Sequence, residues 1–365
     1  MKRVEPSAVA GAAGSMHMGS SLLARIQDST AGRLAVAILA AGILFGLILL
    51  VLGKDPLQAY AGMLRGALGD SYGWTEVLVK ICPLVLCAVA AAIAAKVGLI
   101  NVGADGQFQI GMVAATAVAL YVDEMPAPIY LPLLAIAGFA GGAAWGGIAG
   151  VLRAGPGLNE AICTLLLNFV ALRVVDSLVH GSWKDPRNFN WPFSPPFPDS
   201  ARLPTFGDSR AHMGILVAIV VVVLFALLMN RTRWGYTMRV VGGNAEAARR
   251  AGVAIRRYLI GGMLLGGGIA GLAGMIELAG IHGRLQPGIG VGYGYIGFLA
   301  SWLAGGRPVL IIPMSALLAV IAVGGEALQI SASVPSSSVN ILMALILFFV
   351  LGSRTILVGR GGARA

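Results

Sequence analysis

Charge is what this chain lacks most. Only 12% of its 365 residues are Asp, Glu, Lys or Arg, about half the roughly 25% carried by a soluble domain. That deficit excludes a soluble globular body of this length. With 57% apolar residues it also excludes a disordered chain and a coiled coil. Cysteine is scarce too. Cys82, Cys87 and Cys163 lie in apolar stretches without CxxC spacing, so buried small hydrophobes are expected and no disulfide framework. Catalytic signatures are missing: the chain has no GxxxxGK[ST], HExxH or GxSxG, and His17, His180, His212 and His282 are far apart. No metal site, no cofactor and no enzyme activity of its own are therefore expected. What the chain has in excess is glycine, 52 residues or about 14%, twice the usual share of about 7%. Mean hydropathy is +0.84. The sequence reads as an all-α, polytopic membrane protein.

A bilayer core needs about 20 apolar helical residues, and ten stretches qualify as candidate spans. They are 34–52, 75–95, 106–122, 128–152, 160–180, 213–229, 258–280, 291–305, 308–330 and 337–353. The first is too long for a signal-peptide core and reads as a retained span. The stretch 291–305 is short, bounded by glycines, and suits a half-helix. With the N-terminus inside, 17 Lys and Arg fall on inside segments and 7 on outside loops. This bias places both termini in the cytoplasm. The net charge of +10 is distributed between the spans, as expected of loops facing anionic lipid, and nucleic acid is not an expected partner. The resulting organisation is a cytoplasmic tail over 1–33, a membrane domain over 34–353 and a cytoplasmic tail over 354–365. An outside loop, 181–212, carries six prolines and many aromatics. An inside loop, 230–257, carries seven arginines against Glu246 alone. Ten spans divide five plus five, and an odd number per half inverts one half relative to the other.

Glycines recur every four residues at Gly138, Gly142, Gly146 and Gly150, and again at Gly262, Gly266, Gly267, Gly271 and Gly274. Such stripes let another backbone approach closely in lipid. The second contains G-x-G-x-x-G, but no strand precedes it, so helix packing is the reading.

Three polar segments interrupt the apolar sequence. In Gly98–Gln109, Asn101, Asp105, Gln107 and Gln109 stand among three glycines. This is either a broken helix facing a cavity or an ordinary turn with Asp105 capping the next span. In Gly155–Asn168, Gly-Pro-Gly ends one element and Asn159 or Glu160 caps the next. Glu160, Thr164 and Asn168 share one helix face, either as a pathway lining or as interhelical hydrogen bonds. In Thr232–Gly252, Asn244 suits an N-cap, Glu246 the first turn, Arg249 and Arg250 the last, and Gly252 the C′ position. Ala245, Ala248 and Ala251 give this short helix a small-residue face, suited to another protein or to anionic lipid. Glu277 and Glu326 lie toward the outer side, lining a pathway or snorkelling.

Read in order, these stretches resemble the permease subunits of bacterial ATP-binding-cassette importers for branched-chain amino acids, ribose-type sugars and nucleosides. GLINVGADGQFQIG resembles that family's GLxNxGxEGQ, with Asp105 in place of Glu. GPGLNEAICTLLLNFVA resembles NExIxTLMLN, associated with the nucleoside and simple-sugar branch. RWGYTMRVVGGNAEAARRAGV resembles the ATPase-contacting loop. The resemblance covers most of residues 75–352. It implies a second permease (the same or a homologous chain), two ATPase subunits that use the ATP, and an extracytoplasmic substrate-binding protein. It further implies a substrate pathway at Asn101, Asp105, Gln107, Asn159, Glu160, Thr164 and Asn168. Coupling to the ATPase would fall to Arg239, Gly242, Asn244, Ala247, Ala248 and Gly252. Nucleosides are the first expected cargo and simple sugars the second. The rival from another class is an ion-coupled secondary transporter, which shares the five-plus-five layout but has no need of an arginine-rich docking loop.

Overall fold

A computed structural model describes residues 30–188, 190–207, 209–332 and 334–361. Most of the expected N-terminal tail, and residues 362–365 of the C-terminal one, lie outside that range. The described residues are all-helical, with one isolated bridge between Thr205 and His212. The chain divides into two compact units, Lys54–Met343 on one hand and Met1–Gly53 with Ala344–Ala365 on the other.

In the smaller unit, α1 (Thr30–Val51) buries Ala37, Ala41, Phe45 and Leu49, four positions on one helical stripe. The larger unit runs through α2 (Pro56–Leu68), α3 (Ser71–Lys96), α4 (Ala104–Tyr121), α5 (Ala127–Ala154), α6 (Glu160–His180) and α7 (Gly214–Arg231). It continues through α8 (Arg233–Gly243), α9 (Ala245–Arg250), α10 (Ile255–Glu277), a π turn (Leu278–His282), α11 (Tyr293–Leu303) and α12 (Pro308–Ala332). The last helix, α13 (Ser336–Gly361), begins in this unit and ends in the other.

Each of the ten apolar stretches falls on one helix. Among the described residues, seven helices are long and apolar enough to cross a membrane: α1, α3, α5, α6, α7, α10 with its π turn, and α12. The other three fall short for separate reasons. α4 opens on the polar run Asp105–Gln109, α11 has only 11 residues, and the apolar part of α13 is Ser338–Val350. α13 itself runs eight residues beyond the expected boundary at 353.

The core forms around α3, where every residue from Cys82 to Ala94 is buried. Small side chains (six alanines from Ala88 to Ala95) allow neighbours to close in from all sides. Against it lies α10, which meets α5 glycine to glycine. A Cβ on Gly142 would overlap the Gly267 carbonyl, and one on Gly271 would overlap the Gly138 carbonyl. Gly111 of α4 enters the same contact against the Gly271 backbone. Lipid tails are as apolar as side chains, so this three-helix seam is held by dispersion between closely apposed backbones. Gly268, inside the GxGxxG match, lies under the Phe139 ring, as packing requires.

The segment 181–212 is folded onto the unit through backbone and side chain. Ser194 and Leu285 exchange hydrogen bonds, the Phe197 amide donates to Gly283 and the Leu203 amide to Ala279. Trp183 is buried and donates to Tyr121 Oη at 2.9 Å, whereas Trp191 remains 64% exposed.

Candidate translocation pathway and coupling loop

The polar segments converge at the end of the bundle that carries Lys96, Arg153 and Arg239. The chain turns through Gly98 (φ +79°), a left-handed conformation in which glycine alone is unstrained. α4 then begins at Ala104. Asn101 and Gln107 bond reciprocally, Nδ2 to Oε1 at 3.0 Å and Nε2 to Oδ1 at 3.1 Å. Asn101 also accepts from the Gly103 amide. From α6, Asn168 accepts from the Gly106 amide at 2.8 Å and donates to Val102 O and Tyr295 Oη, each at 2.9 Å. Thr164 packs on Gly103, where a Cβ would meet it at 2.7 Å. Glu160 accepts from the Ile100 amide at 3.2 Å and pairs with Arg153 at 3.3 Å.

Six of the seven expected pathway residues are thus brought together and buried: Asn101, Asp105, Gln107, Glu160, Thr164 and Asn168. Asn159 stands apart. It is exposed and caps α6, accepting from the Ala161 and Ile162 amides. Asp105 does not cap its own helix. Its Oδ1 accepts from the Gly292 and Gly294 amides at 2.9 and 3.1 Å, so it caps the start of α11 from across the bundle. Besides the turn at 97–103, the segment 283–292 is also irregular backbone. Gly283, Gly288, Gly290 and Gly292 have positive φ, Leu285 and Ile289 are buried, and Gln109 donates to the Ile289 carbonyl at 2.8 Å. Sequence reasoning assigned no role to Tyr295 or to this segment, and named Gln109 in the polar run without placing it on the pathway; the glycine cluster in GRLQPGIGVGYG was the available signal. It also missed Lys80, whose ammonium pairs with Glu326 at 2.8 Å and donates to Tyr293 Oη at 3.3 Å.

The arginine-rich loop folds as α8 and α9. Thr232 caps α8 through the Gly235 amide. Asn244 ends α8 and caps α9, accepting from the Ala247 amide at 2.9 Å. Glu246 pairs with Arg249 and Arg250 at 3.1 and 3.3 Å, all exposed, and Gly252 has φ +77°. Of the small-residue face, Ala248 is buried while Ala245 and Ala251 are exposed, as is Ala247. The loop is tied to the bundle at two points. Arg239 donates to the Met229 carbonyl, and a Cβ on Gly242 would overlap the Lys96 carbonyl. Beside it a cavity of about 530 Å³ opens among Gly98, Arg153, Val241, Arg249 and Arg256.

This is a multi-pass membrane protein with an interior polar cluster and a short capped helix standing at its basic end. A comparison with known families matches residues 73–351 to the permease component of the branched-chain amino acid transport system, and the chain belongs to that family. It is the permease component of an ATP-binding-cassette transporter and lies in the inner membrane. It is similar, at 37% identity over 88% of this chain and 87% of the relative, to the glucose ABC transporter permease TsgB13 of Haloferax volcanii. It is 32% identical to the guanosine permease NupP of Bacillus subtilis over 87% of this chain and 91% of the relative. Identity to the nucleoside permease NupB of Lactococcus lactis is 28%, over 86% and 89%.

Proposed function

We propose that this chain forms the membrane pathway of an importer for nucleosides, with simple sugars as the second cargo class. ATP is hydrolysed by two separate ATPase subunits, a second permease completes the pore, and an extracytoplasmic binding protein delivers the cargo. The reading of cargo is carried by likeness along nearly the whole chain to guanosine and nucleoside permeases. The likeness to a glucose permease supports the sugar alternative. In this reading all ten helices enter the membrane in a five-plus-five arrangement, with both termini in the cytoplasm.

The coupling residues are Arg239, Gly242, Asn244, Ala247, Ala248 and Gly252. The exposed, capped α9 supports this, because a chain without a phosphate-binding motif borrows its ATPase through such a surface. The substrate pathway follows Asn101, Asp105, Gln107, Glu160, Thr164 and Asn168, with Asn159 at its rim. At rest these groups hydrogen-bond to one another and to backbone. Passage of cargo therefore requires exchange of these bonds for bonds to its hydroxyls and base edge, a near-balanced trade.

The test is uptake of labelled uridine, adenosine and ribose by reconstituted vesicles, with and without the ATPase and binding protein. ATP-dependent nucleoside uptake that vanishes without the ATPase is the expected result. Uptake by the chain alone under an ion gradient would overturn it in favour of a secondary transporter.

A further inference from the structure

The inner polar cluster is internally satisfied, but at the opposite end of the bundle two buried groups are not. Glu277, the last residue of α10, is 3% exposed, and its Oε1 lies 3.6 Å from His282 Nε2 across the π turn. Its Oε2 has no hydrogen-bond partner among the described residues. His212 is fully buried and accepts from the Gly214 amide at Nδ1, 3.2 Å away. A backbone amide can only donate, so Nδ1 is bare and the neutral ring carries its proton on Nε2. That Nε2–H also lacks a partner among the described residues.

The two idle groups belong to one neighbourhood. The His212 ring edge lies over Gly280, where a Cβ would stand 2.7 Å from Nε2, on the turn that follows Glu277. The Glu277 charge acts on His212, Tyr293 and Cys82. Tyr293 in turn is bound by Lys80, which pairs with Glu326. Buried polar atoms in native proteins are almost always bonded, so a donor and an acceptor left idle together mark a place for a molecule that bonds both. A hydroxyl can serve either group, accepting from the imidazole or donating to the carboxylate.

We propose that His212 and Glu277 form a second station on the pathway, binding a hydroxyl of the sugar moiety of the cargo. This rests on the reading of the chain as a nucleoside or sugar importer, since both cargo classes present such hydroxyls. The His212 ring can lie over the turn after Glu277 because residue 280 has no side chain.

The experiment uses the complete reconstituted transporter with binding protein already saturated by either a ribonucleoside or its 2′,3′-dideoxy analogue, which removes discrimination at capture. Wild type is expected to move the ribonucleoside about tenfold faster, as for one hydrogen bond to a charged group. Glu277→Gln should slow the ribonucleoside about tenfold and leave the dideoxy analogue unchanged, so the ratio falls toward one. Equal slowing of both compounds overturns the proposal and leaves a structural pair bridged by water. A wild-type ratio near one overturns it without any variant, so poor insertion of Glu277→Gln does not leave it undecided. Failure of wild type to take up any nucleoside or sugar identifies the cargo reading as the error.

Discussion

Asn168 joins three elements through one amide, and it shows what single residues contribute here. Its partners are the Gly106 amide, the Val102 carbonyl and Tyr295. Asn168→Leu strands these in a buried site at about 1–3 kcal/mol per lost partner. A lower melting temperature in detergent and reduced uptake are expected together; a variant that melts and transports like wild type would remove Asn168 from the pathway. The i, i+4, i+8 spacing of Glu160, Thr164 and Asn168 was legible in the sequence because a helix face is a local property. The other halves of their bonds were not, since Ile100 is 60 residues from Glu160, and Gly106 and Tyr295 are 62 and 127 residues from Asn168. His212 offers a pH test at the same scale. Burial pushes its imidazole below the ordinary value, with the Glu277 charge opposing. The unfolded chain therefore binds the proton more readily. The stabilisation is complete above the unfolded value of about 6.5 and is lost as pH falls below it, by at most about 1.4 kcal/mol per pH unit. Melting of wild type should fall more steeply between pH 7 and 5 than that of His212→Asn. Parallel curves would show that the ring does not titrate on unfolding.

Among the elements, α9 is the most exposed to substitution. Six residues are too few to hold a helix by propensity, so it depends on its Asn244 cap and on the buried Ala248. Asn244→Ala removes about 1 kcal/mol. The expected outcome is ATP hydrolysis uncoupled from uptake in a chain that still inserts; tight coupling in this variant would take the docking role away from α9. The α5–α10 seam gives a contrasting prediction. Gly142→Val places methyl groups into the Gly267 and Gly271 backbones, and overpacking of about 1–3 kcal/mol or more follows, read as a loss of folded protein in detergent. Helix positions were legible because apolar length is written into the sequence. The helix α2 was not, because its 13 residues follow Lys54 and Asp55 and carry Arg65, and so read as loop. Nor was the location of the irregular backbone. Glycines serve both packing and turns, and only the fold separates Gly111 in a helix seam from Gly290 with φ +60° in a run of turns.

For the whole molecule, the testable quantity is topology. Ten crossings with a cytoplasmic N-terminus bring the C-terminus back to the same side. A fluorescent reporter fused after residue 365 should therefore shine, and alkaline phosphatase inserted near residue 200 should be active. Seven crossings would reverse the first result, because an odd number leaves the ends on opposite sides. The positive-inside bias supplies the expectation; the polar opening of α4, the short α11 and the short apolar part of α13 are what the reporters test.

The π turn at Leu278–His282 has a consequence for chain length. A widened turn stores one residue more than an α turn. Loss of a single residue between 278 and 282 can be absorbed by tightening to ordinary helix, leaving Gly283 aimed at Phe197 and Leu285 at Ser194. The same deletion anywhere earlier in α10 would rotate one part of the helix against the other by about 100°, pulling the glycine stripe off α5. Alignment gaps are thus tolerable at this turn and ruinous one turn before it.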